Sequence, residues 1–338
     1  MPVVKKISRK IVFPAIIALG AEKLLSRFSD NKRLILCYHG CNPHPDFNFN
    51  GRHISSNQLE RHLLYFKDNF NVISLQEMFR FYRENITPEK RTIAITFDDG
   101  YLNNYTTVFP LLEKHGIQAT FFILSGALVD ENYIMWPDIV DIIRMYSPIS
   151  SFQIGNLSFQ KRDRVGFYCV ESGISLFDHI KKMGKVREPF LHELMLRAEF
   201  GTALSKAKTE NYKLINIEQL KKMSVSPLVE IGSHSHLHYN LGNIDFILVK
   251  EELSKSKEII ESTIGKEVKT IAFPDGSYSD SVKQLCQDAG YENLIAVIYQ
   301  CKDDSVDKRI LPRITISNTT IFESNMIQVN LGFKKRGF

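Results

Sequence analysis

The sequence lacks any disulfide or zinc-knuckle signature. Its five cysteines, Cys37, Cys41, Cys169, Cys286 and Cys301, are odd in number and include no CxxC pair. Scattered thiols of this kind predict reduced, mostly buried side chains and fit a reducing compartment. The sequence also lacks a strong excess of either charge. A net charge of +5 and a pI near 8.8 suit an anionic glycan or a membrane surface but are too weak to argue for nucleic acid. Internal repeats and low-complexity tracts are absent, which excludes solenoid and linker architectures. No apolar run approaches the ~20 residues a bilayer-spanning helix needs. Tryptophan is nearly absent: Trp136 stands alone.

What is present begins with a basic, amphipathic N-terminus. Lys5, Lys6, Arg9 and Lys10 precede an apolar run from Ile11 to Ala21. A short apolar core with Ala18, Gly20 and Ala21 is compatible with a signal peptide. Pro14, and apolar positions continuing through Leu24, Leu25 and Phe28 among charges, favour an amphipathic helix over residues 1–30 that touches a membrane or the domain itself. A cytoplasmic or membrane-associated location is expected over export, which stays open.

From residue 31 to 338 the chain reads as one domain. Apolar, β-branched runs at 34–38, 71–75, 92–97, 119–124, 229–231, 270–273, 294–298 and 314–316 alternate with helical stretches. That alternation predicts an α/β fold with a parallel sheet or barrel. Its 338 residues exceed the ~250 of an ordinary barrel. The surplus falls at about 145–225, where the alternation stops. This stretch holds a weak strand-like patch and then charged helical segments, and is expected to be a mainly helical insertion.

Two clusters carry chemistry. Asp98 and Asp99 follow the apolar run Thr92–Phe97 and precede Gly100 and Tyr101. Loops at the carboxyl ends of strands are where α/β folds place ligands. A regular strand would point the two carboxylates to opposite faces, whereas a strand-to-loop turn lets both serve one site. One could hold a metal while the other takes a proton. The second cluster is His234, His236 and His238, after the apolar run ending at Gly232. On a helical turn His234 and His238 would reach one ion while His236 faced elsewhere. An Asp-His-His set leaves positions for water and substrate, as a catalytic metal site requires. Zn²⁺ is the first expectation, with Co²⁺ and Ni²⁺ compatible with the same donors.

These motifs resemble the polysaccharide deacetylase family, whose members share the NodB homology domain. Thr96-Phe97-Asp98-Asp99-Gly100 is similar to its first motif and His234-Ser235-x-x-His238 to its second. Ile271-Ala272-Phe273-Pro274-Asp275-Gly276 resembles its third. The resemblance covers about residues 33–125 and 226–316, closest to the exopolysaccharide branch. It implies a distorted (β/α)7-type barrel. It also implies Asp99, His234 and His238 as metal ligands and Asp98 as the general base toward the attacking water. Tyr101, Pro274, Asp275 and Gly276 would line the substrate, with a backbone N–H of the third motif stabilising the oxyanion. The implied reaction removes the N-acetyl group from N-acetylhexosamine residues of a polysaccharide or lipid-linked glycan. O-deacetylation and glycan binding without turnover remain as alternatives.

Three positions depart from the family pattern. Asp275 stands where an aromatic residue is usual, which bears on substrate preference. No histidine follows His238, so the late histidine that protonates the leaving amine is missing. His39, in Cys37-Tyr38-His39-Gly40, resembles the early histidine of the exopolysaccharide branch and is the candidate acid. The arginine usual just before the third motif is also missing. Arg313 is its candidate replacement and would keep Asp98 ionised. Trp136 is expected to anchor a loop.

Overall fold

A computed structural model describes residues 32–49, 51–162, 166–316 and 321–332. The N-terminal segment discussed above lies outside them. Eight strands form the main sheet: β1 (Arg33–Tyr38), β2 (Thr92–Phe97), β3 (Ala119–Ile123), β4 (Val229–Ser233), β5 (Thr270–Ala272), β6 (Asn293–Ala296), β7 (Ile310–Pro312) and β8 (Ile314–Thr315). They pair in the order β7-β6-β5-β4-β3-β2-β1-β8, every pair parallel. A two-residue strand, Asn71–Val72, adds to β2. The ends of this path, β7 and β8, are halves of one segment divided only by Arg313. The sheet therefore closes on itself at that residue, as a distorted seven-membered (β/α) barrel.

Period-two alternation sorts the strand side chains. Ile35, Ala94, Phe122, Ala272, Ile295 and Leu311 face inward and share a small core with Leu75, Met78 and Phe79 of the helix Leu75–Arg83, which plugs the barrel. Gly232 is required in that lumen, because a Cβ there would lie 2.5 Å from the Phe122 ring. The alternate residues, such as Leu36, Ile95, Phe97 and Phe121, form the larger core beneath the surrounding helices. Tyr38, Phe97 and Phe121 stack in series at centroid spacings of 5.3 and 5.2 Å. Both faces of β2 are buried, which is why it reads as a continuous apolar run.

Between β3 and β4 a second unit builds its own core. Helix α1 (Trp136–Tyr146) packs with a three-stranded antiparallel sheet (Ser151–Ile154, Leu157–Arg162, Gly166–Cys169), with α2 (Leu176–Lys181) and with α3 (Arg187–Arg197). This core includes α1, so the unit starts before residue 145. Pro137 in the first turn of α1 supplies the start signal. After β4 comes a long helix, α4 (Phe246–Ile264), capped by Asp245 and ended by Gly265 in the left-handed conformation. No helix among the described residues is long and apolar enough to cross a membrane. All five cysteines are free thiols.

Candidate metal and catalytic site

The carboxyl ends of β1, β2, β4, β5 and β7 converge on one site. The alternation that points Ile35 and Ala94 inward also carries Cys37, Thr96 and Asp98 to the inner face. At the end of β2 the chain turns left-handed at Asp99 (φ 74°) and Gly100 (φ 70°). That turn lets Asp98 and Asp99 serve one site rather than opposite faces. Both are buried, at 3% and 2% exposure.

Asp98 is held from below. Arg313, at the barrel seam, donates from Nη1 to Oδ1 at 2.6 Å and from Nη2 to Oδ2 at 2.7 Å. Its Nη1 also reaches Thr96 Oγ1 at 3.1 Å, and Thr96 donates in turn to the Leu36 carbonyl at 2.8 Å. The Cys37 thiol donates to Asp98 Oδ2 at 3.5 Å. Burial alone would raise the Asp98 carboxyl, but the Arg313 guanidinium, with His234 and His39, holds Asp98 below the usual carboxylate range. Burial pushes the Cys37 thiol up, so it remains a neutral donor. His39 is half-buried, its carbonyl tied to Asn104 Nδ2 at 2.9 Å. One of its ring nitrogens lies within 4.8 Å of an Asp98 oxygen.

Asp99 faces the other way, towards His234 and His238. Their Nε2 atoms lie 3.4 and 3.6 Å from Asp99 Oδ1, and ligand atoms of all three residues fall within 4.8 Å of one another. Asp99 Oδ1 is buried, yet no described residue hydrogen-bonds it. His234 Nε2 approaches it at 3.4 Å, while His234 Nδ1 donates to the Ala272 carbonyl at 2.8 Å. Burial works to raise the Asp99 carboxyl, and the imidazoles of His234, His39 and His238 bring it well below its usual range. An orphaned buried carboxylate oxygen facing two imidazole nitrogens fits a divalent cation of N/O preference.

The two histidines do not meet on a helical turn. The segment after β4 is an irregular loop in which Ser235 (φ 68°) and His238 (φ 57°) adopt left-handed backbone. The rings stand edge-to-face with centroids 5.2 Å apart. His236 points away and bonds Ser125 Oγ at 2.8 Å.

The third motif forms a tight turn beside this loop. Pro274 and Gly276 are buried, and Asp275 (φ 55°) is its exposed residue. Asp275 Oδ1 meets Lys181 Nζ of α2 at 3.1 Å, so the turn is tied to the insertion. Tyr101 lies in the loop that follows β2. It is fully buried, and its hydroxyl accepts from Arg52 Nε at 2.9 Å and donates to Asp138 at 3.1 Å. Its ring packs with Leu124, Ala127, Met135 and Leu214, and its hydroxyl braces the insertion through Asp138. Trp136 is buried as a loop anchor, its indole donating to the His238 carbonyl at 3.3 Å. Cys37 and Thr96 stood inside the motifs without a role, although alternation along β1 and β2 signals their inward aspect. A further cluster, Asp280, Cys301 and Asp304, encloses Lys283 Nζ rather than a cation site.

A family model, polysaccharide deacetylase, matches residues 85–165 and 189–294, more than half of the chain. A Bacillus subtilis (strain 168) protein described as a polysaccharide deacetylase is 25% identical over 124 residues, 36% of this chain and 43% of that relative. This chain thus spans less than half of that relative's length. The poly-beta-1,6-N-acetyl-D-glucosamine N-deacetylase of Staphylococcus aureus (strain MRSA252) is 20% identical over 273 residues, 78% of this chain and 68% of the relative. The fold is shared with two solved structures. The Streptococcus pyogenes deacetylase PplD, in complex with acetate, has a TM-score of 0.56 at 16% identity, over 87% of this chain and 96% of that one. IcaB from Ammonifex degensii has a TM-score of 0.56 at 16% identity, over 90% and 99%. The chain belongs to the polysaccharide deacetylase family.

Proposed function

We propose that the protein removes N-acetyl groups from N-acetylhexosamine residues of a polysaccharide, with a divalent cation held by Asp99, His234 and His238. One observation supports this most: the buried, unpartnered Asp99 Oδ1 faces two imidazole nitrogens, beside a second carboxylate kept ionised by Arg313. The Staphylococcus aureus relative, named for N-deacetylation of poly-beta-1,6-N-acetyl-D-glucosamine, supports the substrate class. Zn²⁺ is the expected cation. When bound, it would polarise the acetyl carbonyl and make water more acidic.

The chain's own residues do the rest. Asp98, ionised and fixed in orientation, takes a proton from the attacking water. Oxygen adds to the carbonyl carbon, and a backbone N–H of the Phe273–Gly276 turn steadies the developing oxyanion. His39 delivers a proton to the amide nitrogen as the C–N bond breaks, releasing acetate and leaving the sugar amine. Enclosure by the barrel rim keeps these charges in a low-dielectric setting, where fixed donors act most strongly.

The test is acetate release from N-acetylglucosamine oligomers and polymers, with O-acetyl sugars in parallel. Loss on chelation and recovery with Zn²⁺ are expected. Release from O-acetyl sugars alone would overturn the N-deacetylase reading, and release indifferent to chelator would overturn the cation reading.

A further inference from the structure

His234 and His238 present equivalent Nε2 atoms to Asp99 but are held by different means. The His234 ring is fixed through Nδ1 to the Ala272 carbonyl at 2.8 Å, and its backbone N–H bonds the Ile123 carbonyl at 2.8 Å. His238 Nδ1 is buried and meets no hydrogen-bond partner among the described residues. No hydrogen bond at Nδ1 then sets its aim, which rests on the left-handed backbone at φ 57° and on the edge-to-face contact with His234.

That backbone is gripped from two sides. On the barrel side, Glu252 Oε2 of α4 accepts the N–H groups of His236 at 3.0 Å and Leu237 at 2.9 Å. On the insertion side, Arg187, the first residue of α3, donates from Nη2 to the Leu237 carbonyl at 2.8 Å and from Nη1 to the His238 carbonyl at 2.9 Å. Its guanidinium carbon sits 3.6 Å over the Tyr239 ring, and the residue is 3% exposed. The planar fork fits two successive carbonyls as a single ammonium would not.

We infer that Arg187 is a positioning residue for the cation site. Through the carbonyls of Leu237 and His238 it fixes where His238 Nε2 stands, so the insertion, not the barrel alone, sets how tightly the site takes a divalent cation. This rests on the reading that Asp99, His234 and His238 bind one.

The experiment is competitive titration of the full chain with Zn²⁺ and a chromogenic chelator, with thermal unfolding of the metal-free protein alongside. Arg187→Met is expected to weaken Zn²⁺ binding by roughly 10–100-fold. Arg187→Lys should fall between it and the native chain. Arg144→Met is the control. Arg144 also belongs to the insertion and also donates to carbonyls, those of Asn48 and Phe49, away from the His234–His238 loop. It is expected to leave affinity within about two-fold. Should Arg187→Met fail to fold, Trp136→Phe, which removes the other donor to the His238 carbonyl, is expected to weaken binding by a few-fold. Native-like affinity in Arg187→Met or, in that event, in Trp136→Phe overturns the inference alone, as does an equal loss in Arg144→Met. A native chain that binds no Zn²⁺ overturns the cation reading and this inference with it.

Discussion

The barrel and the insertion contribute to the same site in different currencies. The barrel supplies side chains: Asp98, Asp99, His39, His234, His238 and Arg313 all sit on its strand ends or the loops that follow. The insertion grips what the barrel presents, through Arg187 and Trp136 on the carbonyls of Leu237 and His238 and through Lys181 on Asp275. A reactive group must have a particular chemistry, so its identity is constrained. A clamp on backbone carbonyls needs only a donor of suitable reach. Barrel variants should therefore remove chemistry, whereas insertion variants should change retention of the cation and access to it.

Asp98→Asn is the sharpest test on the barrel side. It keeps the shape and removes the base, and general acid–base groups are worth ~10²–10⁴-fold. A loss at the upper end of that range in kcat, with Zn²⁺ binding retained, is expected in acetate-release assays. Retained turnover would break the assignment of the base. His39→Ala should cost roughly 10²-fold in kcat on N-acetyl substrates. A weakly basic leaving group needs no protonation, so an activated O-acetyl ester should lose far less. Equal losses on both would make His39 a structural residue.

Arg313→Met joins chemistry to stability. Removing one partner of a buried ion pair strands the other charge, at a cost of about 3–5 kcal/mol. Denaturant unfolding should show that loss. Adding Asp98→Asn should return part of it, because the stranded charge is gone, while activity stays no higher than in Asp98→Asn alone. A double variant no more stable than Arg313→Met alone would place the cost in the barrel seam instead.

The difference between the regions also governed what the sequence revealed. The parallel barrel was legible because buried strands leave continuous apolar runs. That Asp98, Asp99, His234 and His238 lie close together was foreshadowed because paired carboxylates and clustered histidines stand out at strand ends. Arg313 could be named as a partner for Asp98, but its position at the barrel closure could not, since that depends on β7 and β8 pairing with opposite ends of the sheet. Spacing alone misled at the second motif. The i, i+4 interval suggested a helical turn, and left-handed residues at Ser235 and His238 bring the rings together instead. The partners of Tyr101, Arg52 and Asp138, were not legible because they lie far from it in the chain. Arg187 left no trace, for a charged residue at a helix start is ordinarily solvated.

The smallest expected effect lies at the rim. Lys181 and Asp275 pair at 3.1 Å with side chains 36% and 18% exposed, so the ion pair itself is worth only ~0–1 kcal/mol. Lys181→Ala should leave thermal stability nearly unchanged. Its effect should appear in substrate binding, because the pair ties α2 to the turn where an aromatic residue was expected. With a long N-acetylglucosamine polymer KM should move by a few-fold at constant kcat, and with a short oligomer it should not move. If kcat changes instead, the insertion reaches into the chemistry and the division between the two regions fails. If KM stays fixed for every substrate length, the insertion acts on the site only through the His238 loop.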